Sequence, residues 1–118
     1  MQCQVSYPYM GIRMTTLTPK IARNINLNQK FSSDLAVPEV VGVLVTQTIP
    51  NSPAETAGLL DRDAIVEIDG IVITNAEQVK QIIDSSQIGQ LLQIKIRRGD
   101  RLEHIQVSLQ ELPEQINF

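Results

Sequence analysis

Hydrophobic and polar residues alternate along much of the chain, and this alternation predicts a fold rich in short strands. Successive side chains of a strand point to opposite faces, so a half-buried strand repeats its apolar residues at every second position. Tight turns separate the segments, with Asp69-Gly70 as the strongest hairpin signal. The predicted strands are Ile12–Thr15, Val41–Ile49, Ala64–Ile68, Ile71–Ile73, Leu92–Arg97 and Ile105–Leu109.

Three segments carry the start and stop signals of helices. Ser52 is a good N-cap for a helix of one or two turns that ends at Gly58, and Asn75 opens the longest helix with a sequence close to a capping box. A brief helix is predicted over Thr18–Arg23, with Thr18 as its cap. The polar stretch 24–38 has no clear period, so it is predicted to be a mobile loop.

Strands outnumber helices, which predicts an α+β fold that is mostly β. The expected architecture is a partly open barrel or sandwich of five to six strands closed by two helices. The 118 residues fit one domain, and the aromatic share of 3% means that the core is aliphatic. A net charge of −3 without a basic face argues against a nucleic-acid partner, and no apolar run is long enough for a membrane span.

The residues that usually carry out catalysis or bind metals are scarce. His104 and Cys3 are the only residues of their kinds, and no nucleophile elbow, P-loop or dinucleotide fingerprint occurs. We therefore predict no catalytic site, no metal and no cofactor in this chain. Four acidic residues lie close together, but they lack the glycine and terminal Glu of a calcium loop and are interpreted as solvated. They are Asp61, Asp63, Glu67 and Asp69. Arg97, Arg98 and Arg101 are likewise interpreted as solvated residues of a hairpin turn.

Three stretches together resemble the PDZ domain that follows the catalytic domain of HtrA/Deg-type serine proteases. Tyr9–Ile12 resembles the family's carboxylate-binding loop, Ile49–Leu59 its Ser-Pro-Ala…Ala-Gly-Leu segment, and Asp63–Gly70 its Asp-Gly hairpin. The sequence departs from the family at Arg62, where a glycine is usual. The resemblance implies a PDZ domain over residues 8–112. Residues 1–7 are then a linker or an expression-derived tail, and residues 113–118 a C-terminal tail.

The same resemblance implies a peptide site between a strand and the long helix. Gly11 would let main-chain N–H groups approach a carboxylate, and a peptide would add as a strand to an exposed edge. The implied carboxylate-binding loop is Tyr9, Met10, Gly11 and Ile12, the groove strand is Ile12, Arg13, Met14 and Thr15, and the groove helix contributes Ala76, Val79, Lys80 and Ile83. Two alternatives stay open: Val79 and Ile83 as plain core, and Gly11 as a simple turn glycine.

By resemblance, the domain recognises C-terminal or unfolded peptide segments and regulates, or feeds substrate to, a serine endopeptidase domain upstream in the parent protein. That role implies protein quality control in a bacterial periplasm or cell envelope, or in an organelle lumen. Two other readings are a PDZ domain of a membrane-embedded metalloprotease or carboxyl-terminal processing protease, and a non-enzymatic scaffold module. An upstream Gly-Asn-Ser-Gly-Gly segment supports the first reading, and an upstream His-Glu-x-x-His segment supports the metalloprotease.

Overall fold

The helices and strands follow in an order close to the predicted one. The structure is a computed structural model that describes residues 8–29, 37–99 and 101–111. The strands are β1 (Pro8–Tyr9), β2 (Ile12–Leu17), β3 (Gly42–Thr48), β4 (Ala64–Ile68), β5 (Ile71–Val72), β6 (Leu91–Arg98), β7 (Arg101–Ser108) and β8 (Gln110–Glu111). The helices are α1 (Pro19–Gln29), α2 (Pro53–Ala57) and α3 (Ala76–Ser85).

One antiparallel sheet organises the domain. Its strands lie in the order β2-β3-β4-β6-β7, and β5 pairs with β4 beside this path. A separate pair joins β1 to β8, with Tyr9 opposite Gln110. The sheet does not close on itself, so β2 is an edge strand. The predicted α+β class, which is mostly β, is confirmed: the sheet is open and a few helices pack on it. The short strands β1 and β8 were not predicted.

The main core lies on the face of the sheet that α2 and α3 cover. Strand alternation places Val43, Val45 and Ile65 on this face, and each is fully buried. Helix α3 adds Val79, and helix α2 adds Ala54. The prediction that α3 is the longest helix is wrong, because α1 has 11 residues and α3 has 10. The core is almost entirely aliphatic, as the composition requires.

A second, smaller core lies on the opposite face and explains an error in the sequence reading. Leu44 and Ala64 point to this face, and Ala22 of α1 packs on them with Ile25 one turn later. The prediction of a loop over 24–38 is therefore wrong for residues 24–29, which continue α1 to Gln29. Residues 30–36 lie outside the described residues, so the prediction of a mobile loop stays untested there.

The segment after this gap is fastened to α1 by one side chain. The Asn26 amide donates to the Val37 carbonyl at 2.9 Å and accepts from the Val37 N–H at 2.8 Å. Val37 is buried in the second core. These two bonds satisfy the main-chain N–H and C=O of Val37, which has no strand partner among the described residues.

The predicted caps and the hairpin turn are present. The Ser52 side chain accepts from the Glu55 N–H, and Gly58 ends α2 with φ +100°. The Asn75 side chain accepts from the Gln78 N–H at 2.9 Å. Asp69 and Gly70 have φ of +51° and +82°, as a type I′ turn requires.

Arg98 is half-buried and forms an ion pair with a buried carboxylate instead of lying in a solvated turn. Its guanidinium donates to both carboxylate oxygens of Asp63 at 2.9 and 2.7 Å, and to the Gly58 carbonyl at 2.9 Å. Asp63 is 1% exposed. The hydrogen bond to Asp63 raises the pKa of Arg98 above its usual value. The sequence reading was wrong for these two residues, which lie 35 positions apart.

Candidate functional site

The outer edge of β2 offers main-chain groups that no strand of the sheet uses. The Ile49 N–H donates to the Gly11 carbonyl at 2.9 Å, and Ile12 lies opposite Thr48. In an antiparallel ladder, a residue flanked by such a bond forms a non-hydrogen-bonded pair. The N–H and C=O groups of Ile12 therefore point away from β3, toward the open edge.

Met14 offers a second pair of main-chain groups on the same edge. The register shifts between Arg13 and Met14, so that Met14 faces Val45. The Val45 N–H donates to the Asp63 carbonyl at 2.8 Å, and the Val45 carbonyl accepts from the Arg62 N–H at 2.8 Å. Both Val45 groups thus point toward β4, which leaves the Met14 groups directed to the open edge.

The loop before β2 holds Gly11 in a conformation and a space that suit only glycine. Its φ is +89°, and a Cβ there would overlap the Ser52 Cβ and lie 2.6 Å from the Ser52 Oγ. The Ser52 hydroxyl donates to the Gly11 carbonyl at 3.3 Å, and the Ala54 N–H donates to the Met10 carbonyl at 2.9 Å. The start of α2 therefore fixes this loop through its carbonyl groups.

The N–H groups of Met10 and Gly11 in the same loop have no hydrogen-bond acceptor in the part of the chain that the structure describes. Together with the Ile12 N–H, they form a run of main-chain donors at the end of the open edge. Successive N–H groups of this kind can bind an anion such as a carboxylate.

Helix α3 lies beside the open edge and presents one flank to it. The opposite flank is occupied, because the Gln78 amide donates to the Val72 carbonyl of β5 at 2.7 Å. The N-terminal end of α3 is joined to β2, where the Thr16 hydroxyl accepts from the Ala76 N–H at 3.0 Å. We call the space between the β2 edge and this flank of α3 the β2–α3 groove.

The predicted site residues fall into three groups. The half-buried residues among them are Tyr9, Ile12, Met14, Ala76 and Ile83, while Arg13, Thr15 and Lys80 are exposed. The Met10 and Val79 side chains lie in the main core, and Gly11 is buried. Met10 can thus offer a ligand its main chain but not its side chain. For Val79, the structure has the plain-core placement that the sequence left open.

Sequence reasoning missed two hydrogen bonds that hold the site. The Ser52 cap was predicted, but its second bond, to a carbonyl 41 positions earlier, was not. Thr16 gave no signal, since its bond to Ala76 spans 60 positions. A contact across such a separation leaves no periodic trace in a single sequence.

The four acidic residues that suggested a metal loop all have other partners. The Asp61 carboxylate accepts from the Thr48 N–H and hydroxyl, and Asp69 accepts from the Gln93 N–H. Glu67 lies 3.6 Å from the Lys95 ammonium, and Asp63 pairs with Arg98. Over the described ranges, no three metal-ligating side chains gather.

Three further observations concern regions outside the groove. His104 is exposed on β7, as predicted. Two surface cavities of about 350 and 300 Å³ lie outside the β2–α3 groove, one behind α3 beside Ile71 and one between α1 and β3 beside Ile25. Of the helices that the structure describes, none is long and apolar enough to cross a membrane.

Comparison with known proteins gives a family match over nearly the whole chain. A family model described as PDZ domain matches residues 8–109. HhoB of Synechocystis sp., which carries the name of a serine protease, is 33% identical over 113 residues, or 96% of this chain and 27% of that protein. Serine protease HTRA1B of Danio rerio is 33% identical over 92% of this chain and 21% of that protein. The chain thus spans about a quarter of the length of these relatives.

Solved structures share the fold. The HtrA3 PDZ domain bound to a phage-derived ligand, FGRWV, superposes with a TM-score of 0.75 at 22% identity, covering 92% of this chain and 90% of that one. The HtrA-type protease AlgW with a decapeptide gives a TM-score of 0.77 at 22% identity, covering 95% of this chain and 31% of that one.

Proposed function

Since this chain belongs to the PDZ domain family, we propose that it binds the C-terminal or unfolded end of a peptide as an added strand in the β2–α3 groove. The observation that carries the proposal is the open edge of β2. There the main-chain groups of Ile12 and Met14 have no strand partner and lie beside a half-buried apolar flank of α3. An extended peptide can pair with such an edge through its main chain, and pockets for its side chains give selectivity.

The end of the groove suits a free carboxylate. The N–H groups of Met10, Gly11 and Ile12 lie where a strand that pairs with Ile12 would end. Hydrogen bonds to a charged acceptor are each worth about 1.5–3 kcal/mol, so a free C-terminus should bind more tightly than an amide. The last side chain of the ligand would enter between Met14 and Ile83.

The proposed role in the parent protein follows from its relatives. HhoB and HTRA1B carry the names of serine proteases, and this chain matches only about a quarter of each. We propose that a serine endopeptidase domain lies upstream and that this domain regulates it or delivers substrate to it in protein quality control. A bacterial cell envelope or an organelle lumen is the compartment this role favours.

The groove can be tested on the isolated chain, whose family members include a solved isolated domain. The chain is titrated with short peptides that end in Val, Leu or Ala, as free acids and as amides, while amide NMR shifts are followed. The expected affinity is on the order of micromolar, since one added strand and one pocket must offset the ordering of the peptide. The largest shifts are expected over residues 10–16 and 76–83, and the amide form should bind about tenfold or more weakly.

Two neighbouring isoleucines provide a matched pair of variants. Ile83→Ser should weaken binding because it removes apolar surface from the groove, whereas Ile82→Ser removes the same surface from the other flank of α3. Both residues are half-buried against the main core, so their effects on stability are comparable. Equal loss of affinity in the two variants, or shifts confined to β6 and β7, would refute the groove. Equal binding of acids and amides would refute only the carboxylate contact and would favour capture of internal segments.

The role in the parent protein needs the full-length chain. Deleting the domain should change the rate at which the full-length protein cleaves an unfolded casein substrate, while the domain alone should leave casein intact. An unchanged rate would contradict a regulatory or delivery role. Cleavage by the repurified domain that persists in His104→Ala would contradict its assignment as a binding module.

A further inference from the structure

We propose that Lys80 makes the groove selective for ligands with Asp or Glu two positions before the C-terminal residue. The inference rests on the proposed peptide-binding function and adds the class of ligand. It is carried by the direction of the Lys80 side chain, by its position along the groove and by the absence of an ion-pair partner within the described residues.

The direction of Lys80 follows from the helix geometry. With about 3.6 residues per turn, successive side chains are separated by about 100°. Angles about the helix axis are measured from Val79, which is fully buried. Ile83 lies at about +40°, Ala76 at about +60° and Lys80 at about +100°. Gln78 lies at about −100° and is bonded to β5. Lys80 therefore lies on the flank of α3 that faces β2, on the solvent side of Ala76 and Ile83.

The position of Lys80 along the groove can be counted from the bond between Thr16 and Ala76. Lys80 is four residues further along α3, or about 6 Å, and Ile83 is about 10.5 Å away. Met14 is two residues back along β2, or about 6.6 Å. Lys80 therefore stands opposite Met14, while Ile83 stands nearer to Ile12 and the donor loop.

The same count assigns a ligand residue to Lys80. A ligand whose carboxylate meets the donor loop runs antiparallel to β2, and only alternate side chains point toward α3. The last side chain then lies beside Ile83. The next one on that face, two positions earlier, lies about 6.6 Å along the groove, beside Met14 and Lys80.

The charge of Lys80 is available to such a residue. Its side chain is exposed, and it takes part in none of the ion pairs recorded among the described residues. Glu77 and Asp84, one turn away on either side, lie at about +160° and +140° and so toward solvent. Arg13 is on the opposite face of β2. Lys80 thus places a positive charge at this part of the groove.

Charge-swapped peptides test the inference. Three free-acid peptides differ only at the third residue from the end, which is Glu, Gln or Lys, and each is titrated into the wild type, Lys80→Gln and Lys80→Glu. The wild type should bind the Glu peptide about twofold to fivefold more tightly than the Gln peptide, the range for an exposed ion pair. The preference should vanish in Lys80→Gln, reverse in Lys80→Glu and fade when salt rises from about 0.05 to 0.5 M.

Two controls separate a local contact from a general effect of charge. Lys20→Gln removes another exposed lysine, from α1 and outside the groove, and should keep the preference. A peptide with its Glu moved one position toward the end points that side chain away from α3, so its affinity should not respond to Lys80→Gln. An equal response of both peptides would overturn the inference, as would equal affinity of the Glu and Lys peptides for the wild type. Failure of every free-acid peptide to bind would overturn the groove itself.

Discussion

Replacing Gly11 with alanine is expected to destabilise the domain by about 3 kcal/mol, far more than the same change at another left-handed glycine. The backbone of Gly11 has φ +89°, a region that costs an L-residue about 1–2 kcal/mol. A Cβ would also overlap the Ser52 Cβ and crowd its Oγ at 2.6 Å. Ser52 must then move, and it caps α2 through the Glu55 N–H. Losing such a cap costs about 0.5–2 kcal/mol.

Gly70 supplies the matched control. Its φ is +82°, but a Cβ there meets nothing within 4 Å. Gly70→Ala should therefore show the backbone strain alone, about 1 kcal/mol. The difference between the two variants, about 1–2 kcal/mol, isolates the contact with Ser52.

Urea denaturation followed by far-ultraviolet circular dichroism measures these differences, since the chain has no tryptophan. A double variant makes the test sharper. Ser52→Gly removes the crowded atoms, at the cost of a weaker cap and of the hydroxyl bond to the Gly11 carbonyl. The double variant should therefore be about 1 kcal/mol more stable than the sum of the two single changes predicts. Equal destabilisation by Gly11→Ala and Gly70→Ala, or strict additivity in the double variant, would refute the reasoning.

Three further changes test the framework around the site. Arg98→Ala should cost about 2–4 kcal/mol in urea denaturation, since the buried Asp63 carboxylate loses its ion-pair partner and keeps only the Leu60 N–H as a hydrogen-bond donor among the described residues. The pKa of Arg98 is raised in the folded state, so its contribution to the free energy of unfolding is complete below the unfolded-state pKa and is lost only as pH rises through the folded-state pKa. The difference in stability between the wild type and Arg98→Ala should therefore stay constant from about pH 7 to 10. Thr16→Val should cost about 1 kcal/mol and speed amide exchange at Ala76, whose N–H loses its acceptor. Arg62→Gly should stabilise the domain by up to about 1 kcal/mol, measured by its melting temperature, because Arg62 has φ +75° where the family usually has glycine.

Local signals predicted most of the strands and caps. Alternation placed β3, β4 and β6 to within a few residues, and Asp69-Gly70 adopts the turn that its sequence favours. These features depend on neighbours in the chain, so the information lies in the sequence window itself. The backbone of Arg62 is left-handed, with φ +75°, and this residue occupies the position where the family usually has glycine. A local signal thus also marked this turn.

Features that depend on distant residues could not be predicted. The second half of α1 is rich in asparagine, which favours caps and turns over helix interiors. This half is nevertheless helical, and it makes tertiary contacts that the sequence does not show. Ile25 packs in the second core, and the Asn26 side chain bonds to the main chain of Val37. In the site, alternation identified Ile12 and Met14 as one face of a strand. It could not tell that β2 is an edge, because that depends on the order of the strands.

The placement of α3 beside the edge of β2 also bears on solubility. A bare edge strand is a template for pairing with the sheet of another molecule, which is a common start of aggregation. Here the helix stands along that edge and is joined to it through Thr16 and Ala76. A broad sheet from a neighbouring molecule would collide with the helix, whereas one narrow extended chain could slide in from the Gly11 end. The open edge of β2 can thus stay accessible to a single extended chain while α3 hinders pairing between the sheets of two domains.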